Sequence, residues 1–525
     1  MPTAPSTQLG KDEFSVRNLA RLAGLTLIAF VVMGYHPGLE DDSFYLAAIK
    51  RDLHPALFPY DSDFFRLQFQ LTIFDKLIAF SVRLTHLPVL WDVLLWQWLA
   101  IFLVLFGCWR IARRCFALPE AQWAAVALIA ALLTLPVPGI AINLADQYLH
   151  PRTLATAAIL AAIVAVIDRK FWLTGLLLAV AFAIHAIMAS LGISFCVFLA
   201  WTLRDSKIAR PSPLPALGAL LLPLGWLFGP TSDAWRQAAA TRGFLFVTRW
   251  HWYEWLGVFA PLVLLFAFRR FAQPQRRQTG EVCVERALLP ASGESVLLPL
   301  VSALIYYGVF QTIVGLVIML PPGLERLRPF EPMRYLHLLY LLFFLIIGGL
   351  LGRYLLDRHR YRWALLFIPL SAGMFYAQRQ MYAASPHLEL PFITPDSGWL
   401  RAFDWIRLYT PSDSFFAIDP HYEALPGEDY HGFRALAERS VLADYEKDAG
   451  MAARVPALAP RWLKEVTALN GWRNFRAGDF QRLKNDFGVT WFVLSAADAE
   501  FSNPQPGPVV CPYANEEVKV CRLRR

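Results

Sequence analysis

Residues 19–65 read LARLAGLTLIAFVVMGYHPGLEDDSFYLAAIKRDLHPALFPYDSDFF, an apolar run to Tyr35 followed at once by a loop dense in carboxylates: Glu40, Asp41, Asp42, Asp52, Asp61 and Asp63. The run is long enough to cross a hydrocarbon core about 30 Å thick. Lys11, Arg17 and Arg21 flank its start and no small-residue cleavage site follows, so it reads as an uncleaved signal anchor with its N-terminus in the cytoplasm. The acidic loop is then expected on the outer side.

Outward from this stretch, the composition sets the class. The 525 residues are 56% hydrophobic with a mean hydropathy of +0.41, above the roughly 45–50% apolar share of soluble domains. Apolar runs recur as far as Tyr376 and then stop. The sequence therefore predicts an α-helical polytopic membrane protein of about 11 transmembrane helices: a cytoplasmic tail (1–18), a transmembrane domain (19–376) whose first outer loop is 36–89, and an extracytoplasmic soluble α/β domain (377–525).

Charge agrees with that division. From Gln378 to Arg525 there are 17 Lys+Arg against 19 Asp+Glu, a net −2, which leaves +10 on the preceding part of a chain whose total is +8. The excess cations cluster in alternate short turns, such as Arg110, Arg113 and Arg114, Asp168-Arg169-Lys170, Arg204 to Arg210, and the segment from Arg269 to Arg286. Such alternation is the topology signal of inner loops. It argues against a nucleic-acid partner and for an integral membrane protein.

In the first loop, residues 43–53 and 71–84 read as two helices, the second amphipathic, forming a platform on the outer leaflet. In the tail, WLRAFDWIRLYTPSDSFFAID and DFQRLKNDFGVTWFVLS each place a helix before a short buried strand. Cys511 and Cys521, ten apart, suit a terminal hairpin disulfide, for which two unpaired thiols are the alternative.

Three adjacent carboxylates need a reason. Asp41 or Asp42 can cap the helix that follows, but ionised neighbours repel, and a divalent cation or a positively charged substrate group between them would relieve that. Mg²⁺ or Mn²⁺ suits one or two carboxylates with phosphate oxygens, so Asp41 and Asp42 are the candidate metal ligands, while Asp61 and Asp63 read as turn residues. Other outer loops offer Asp146, His150 and Arg152 before a helix with Pro151 in its first turn, Arg249 and His251 within an aromatic belt, and Arg328 and Arg334 beside Glu331. Each arginine can meet phosphate or simply lie at the interface.

The layout resembles the GT-C superfamily of membrane glycosyltransferases, in a bacterial branch that uses polyprenyl-phosphate sugars. The resemblance rests on the Glu40-Asp41-Asp42 triplet, the two loop helices, and the tail opening Trp399 to Asp419, which is similar to the soluble domain of oligosaccharyltransferase-like members. It implies an inverting transfer from a lipid-linked sugar donor to a glycan, lipid or protein acceptor at the outer face, among membrane lipids. Asp41, Asp42 and Glu40 would carry the chemistry, with Arg152, Arg328 and Arg334 on the phosphate. The WWDYG signature is absent, the region reading AIDPHYE from Ala417, which counts against protein N-glycosylation. A transporter or a non-catalytic envelope scaffold is the competing class; the gathering of acids at one face rather than mid-membrane favours surface chemistry.

Overall fold

The computed structural model of the chain describes residues 13–65, 70, 72–203, 231–272, 296–393, 397–424, 431–501 and 509–524. The expected span at 215–228, most of the basic segment after Arg270, and Leu71 lie outside them. The described part is mostly helical with a small sheet near the C-terminus.

Among the described residues, five helical segments are long and apolar enough to cross a membrane: α1 (Val16–Met33), α4 (Val89–Cys115), α10 (Trp252–Ala272), α11 (Leu297–Met319) and Pro332–Leu356, which contains α12 (Tyr335–Leu351). Three further apolar helices, α6 (Pro151–Ile167), α7 (Phe171–Ile184) and α8 (Ala186–Thr202), are shorter. Helix α5 (Pro119–Ala131) packs backbone to backbone with α12. A Cβ on Gly348 would stand 2.8 Å from the Ala124 carbonyl oxygen and from Ala125 Cα, and one on Gly352 would stand 2.7 Å from Ala121 Cα. The four-residue spacing of these glycines is what lets two helices approach so closely where water provides no hydrophobic drive.

Two of the basic turns expected on one side do meet. Arg114, at the end of α4, donates from Nε and Nη2 to the two Asp168 oxygens beyond α6, at 2.7 Å each, and from Nη1 to Glu13 at 3.0 Å. The loops rich in candidate residues gather at the other end of the bundle.

There the tail docks. Strands β3 (Phe415–Ala417), β4 (Ser440–Val441), β5 (Trp491–Ser495), β6 (Val509–Ala514) and β7 (Val518–Leu523) form a sheet in the order β4-β3-β5-β7-β6. Its first two pairings are parallel and its last two antiparallel. Alternation fills both faces: Phe416, Val493 and Val520 pack with α14 (Gly398–Tyr409), whereas Phe415, Phe492 and Cys521 face α18 (Ala477–Phe487). Cys511 and Cys521 are disulfide-bonded across β6 and β7.

The loop helix α2 (Asp42–Leu53) is not a surface platform. Every residue from Asp42 to Lys50 is buried, because α15 (Phe433–Ala437) of the tail covers it. Lys50 Nζ donates to the Ala435 carbonyl and to Glu438, both at 2.7 Å. Arg434 lies between two carboxylates that are wholly buried, donating to Asp61 at 2.5 Å and to both oxygens of Asp448 at 3.0 and 2.8 Å. Asp61 thus pins the loop to the tail rather than making a turn, while Asp63 is 59% exposed and 3.7 Å from Arg461. Helix α3 (Phe74–Thr85) does keep an amphipathic character, burying Phe74 and Ile78 and exposing Phe80 and Leu84.

Gly348→Leu should lower stability by about 1–3 kcal/mol by overpacking, read as a lower unfolding midpoint in detergent. Asp61→Ala leaves Arg434 with one carboxylate partner, Asp448, and removing one member of such a buried pair costs about 3–5 kcal/mol. Hydrogen exchange at Val441, whose N–H also donates to Asp61, should then rise sharply.

Candidate active site

Where the loops and tail meet lies a cavity of about 740 Å³. Its geometry starts at His150. Pro151 sits in the first turn of α6 and His150 is the N-cap, its Nδ1 accepting the Arg152 N–H at 2.9 Å. That hydrogen bond fixes the neutral tautomer, so Nε2 carries the proton and faces Asp41 Oδ2 at 3.9 Å. Burial, reinforced by the Arg152 charge, pushes the His150 pKa down and keeps the ring neutral.

Arg152 is 2% exposed and donates from Nη2 to both Asp146 oxygens at 2.6 Å. Its Nε and Nη1 are buried with no hydrogen-bond partner among the described residues. A guanidinium held this way has donors to spare for an oxyanion.

Glu40 takes a left-handed backbone, φ 53°. Asp41, the next residue, already has helical backbone, φ −68° and ψ −17°, and leads into α2. Glu40 and Asp41 both reach Lys447 of α16 (Lys447–Arg454), the latter at 3.6 Å. Burial alone would raise the Asp41 carboxyl, but the Lys447 ammonium and the His150 contact outweigh it and hold Asp41 well below the usual carboxylate range. Its side chain, 38% accessible, borders the cavity as a carboxylate.

Asp42 turns away. It is 1% exposed, accepts the Gly38 N–H at 2.6 Å, and burial pushes its pKa up to about 7. The expected pairing of Asp41 with Asp42 around Mg²⁺ or Mn²⁺ is therefore not formed. Among the described residues no three His, Cys, Asp or Glu side chains are grouped to hold a metal, and the charge beside Asp41 is a lysine.

Of the remaining candidates, Asp146 and Arg334 border the cavity with Arg152. Arg334 is 5% exposed and ion-paired with Glu331, another left-handed glutamate, φ 53°, whose other oxygen accepts from Arg454 at 2.7 Å. Arg249 and Arg328 instead lie over the Phe246 ring, 4.5 and 5.1 Å from its centroid, and His251 stacks on Tyr253 at 5.2 Å; these three are not among the residues bordering the cavity. His185, the residue between α7 and α8, borders it and lies 6.2 Å from the His150 ring.

Lys447, Arg454 and Arg242 also border the cavity and were not singled out by sequence. The only trace of them there is the i, i+7 placement of Lys447 and Arg454 on one helical face, common to solvated helices. No family model matches the chain, and no curated protein matches its sequence.

The Asp42 carboxyl, with a folded pKa near 7 against an ordinary 3.8, gives a stabilising contribution that is complete below pH 3.8 and lost as pH rises through 7. Asp42→Asn should remove that dependence. Unfolding midpoints of the two proteins, compared from pH 5 to pH 8 (roughly 1.4 kcal/mol per unit of pKa difference), should show wild type losing ground to the variant.

Proposed function

We propose that the chain is an inverting membrane glycosyltransferase of the GT-C type, with about 11 spans, a cytoplasmic N-terminus and its tail on the periplasmic side of a bacterial inner membrane. It moves a sugar from a polyprenyl-phosphate or polyprenyl-diphosphate carrier to an acceptor hydroxyl. The observation that carries this reading is the juxtaposition, in one cavity, of a carboxylate held ionised and a buried arginine with unmet donors. Two further features support it. Phe182, Phe330 and Met381 border the cavity yet are 52%, 53% and 57% exposed, so its apolar flank opens on the side of the bundle, where a lipid chain would enter. The Cys511–Cys521 disulfide suits an oxidising compartment.

In this reading Asp41 accepts the proton of the acceptor hydroxyl as its oxygen bonds to the anomeric carbon. The bond from that carbon to the carrier phosphate breaks, its electron pair leaves on the phosphate, and the configuration inverts. Arg152 and Arg334 stabilise the departing charge, prepaid by the fold rather than by moving water. His150 Nε2–H orients the Asp41 carboxylate. Asp42 acts structurally, through Gly38.

Membranes containing the chain, given a panel of labelled polyprenyl-phosphate hexoses and pentoses, should transfer label to endogenous acceptor. Asp41→Ala should lower the rate by about 10²–10⁴-fold, the range for a lost general base, and Arg152→Met should also lower it strongly, whereas Asp42→Asn should keep most of it. Undiminished transfer by the expressed Asp41→Ala protein sinks the reading.

A further inference from the structure

The cavity's charges are not evenly spread. On the first-loop side one ammonium, Lys447, serves two carboxylates, Glu40 and Asp41. On the other side the balance reverses, because Arg334 and Arg454 share the single carboxylate of Glu331. Arg242 stands between the two sides, within electrostatic reach of Asp41 and Lys447. It borders the cavity, is half-buried, and among the described residues no carboxylate pairs with it and no hydrogen bond engages its guanidinium.

Gly450 brings Arg242 to this wall. It lies on α16 between Lys447 and Arg454, and a Cβ there would stand 2.5 Å from Arg242 Nη2. The absence of a side chain lets the guanidinium lie against the tail helix, one turn from Arg454. Taken together, Lys447, Arg242, Arg334 and Arg454 face the carboxylates of Glu40, Asp41 and Glu331, so one positive charge in this partly desolvated part of the cavity is unmatched and anion binding is correspondingly favoured.

We infer that Arg242 and Arg454, assembled on the tail helix around Gly450, form a second anion subsite, which receives a negatively charged group of the substrate in addition to the phosphate met by Arg152. The inference rests on the glycosyl-transfer reading for the identity of that first phosphate. The chemistry shared by the possible ligands is an oxyanion, and it has two sources: the second phosphate of a diphosphate carrier, or a carboxylate on the transferred sugar. A bidentate guanidinium recognises either.

The test uses the full-length chain in detergent and measures binding of farnesyl phosphate, farnesyl diphosphate, farnesyl-phosphate hexose and farnesyl-phosphate hexuronate. If the second phosphate is the source, the diphosphate binds about tenfold or more tightly than the monophosphate (1.4 kcal/mol per decade); if a sugar carboxylate is, the hexuronate exceeds the hexose by a similar factor. In either arm Arg242→Gln removes the advantage while the singly charged partner keeps its affinity. Gly450→Ala, which leaves every charge in place and displaces only the guanidinium, should do the same, and it decides the matter if the Gln variant does not fold. Equal affinities in both arms, or an advantage untouched by Gly450→Ala and Arg242→Gln, overturn the inference. Inorganic pyrophosphate separates this result from the reading beneath it: Arg242-dependent pyrophosphate binding without binding of any prenyl ligand would keep the subsite and remove the glycosyltransferase.

Discussion

A buried lysine cannot stay charged without partners, and Lys447 finds both of its own 407 and 406 residues away, in Glu40 and Asp41. That requirement couples the tail to the first loop. Transferring an unpaired ammonium out of water is far more costly than any single contact here returns, so the tail has to be docked for Lys447 to be where it is. The cavity is the space left when it docks: membrane helices on one side, α16 on the other. The Arg434 and Lys50 pairs and the Glu389 carboxylate, which accepts from His36 at 2.6 Å and His431 at 2.8 Å, hold the same joint. Burial would raise the Glu389 carboxyl, but the two histidines lower it to about 2, so its share of the joint is present above its ordinary 4.5 and lost only as pH falls toward 2.

The tail helix grips the loops in a repeated way. At one end Lys447 holds Glu40 and at the other Arg454 holds Glu331, and both glutamates have φ of 53°. A left-handed backbone costs a non-glycine residue on the order of 1 kcal/mol. Two such residues on separate loops are each paired with a cation of one short helix, and the pairing offsets part of that cost. Beyond Glu40 the chain is already helical at Asp41, φ −68° and ψ −17°, and the helical rotation between successive residues separates Asp41, at the cavity edge, from Asp42, in the core.

Much of this was legible in the sequence, and the limits follow from range. Helices and the helix-strand repeats of the tail are written in local periodicity, and the continuous apolar run of Trp491–Ser495 marks a strand buried on both faces. The grouping of Asp146, His150 and Arg152 is local too, set by Pro151 and the N-cap. Lys447, Arg454, Arg242 and Gly450 reach the cavity only through tertiary contacts, and an isolated lysine or glycine in an amphipathic helix carries no mark of that. The burial of helix 43–53 has the same origin: Lys50, and Asp42 just before the stretch, look solvated until Gly38, Ala435 and Glu438 supply their partners.

The carboxylate triplet shows that one electrostatic requirement can be met in more than one way. Three adjacent ionised carboxylates do repel, and a counter-charge is needed. A metal ion is one solution, which sequence suggests because aspartates in a row bring cations to mind. The fold uses two others. Lys447 supplies the counter-charge to Glu40 and Asp41, and Asp42, buried and with its pKa raised to about 7, escapes much of the repulsion by holding its proton through the acidic range. Neighbouring groups of the same type are separated by their surroundings, one beside the Lys447 ammonium and one buried in the core, which leaves one carboxylate ionised at the place where the proposed transfer needs a base.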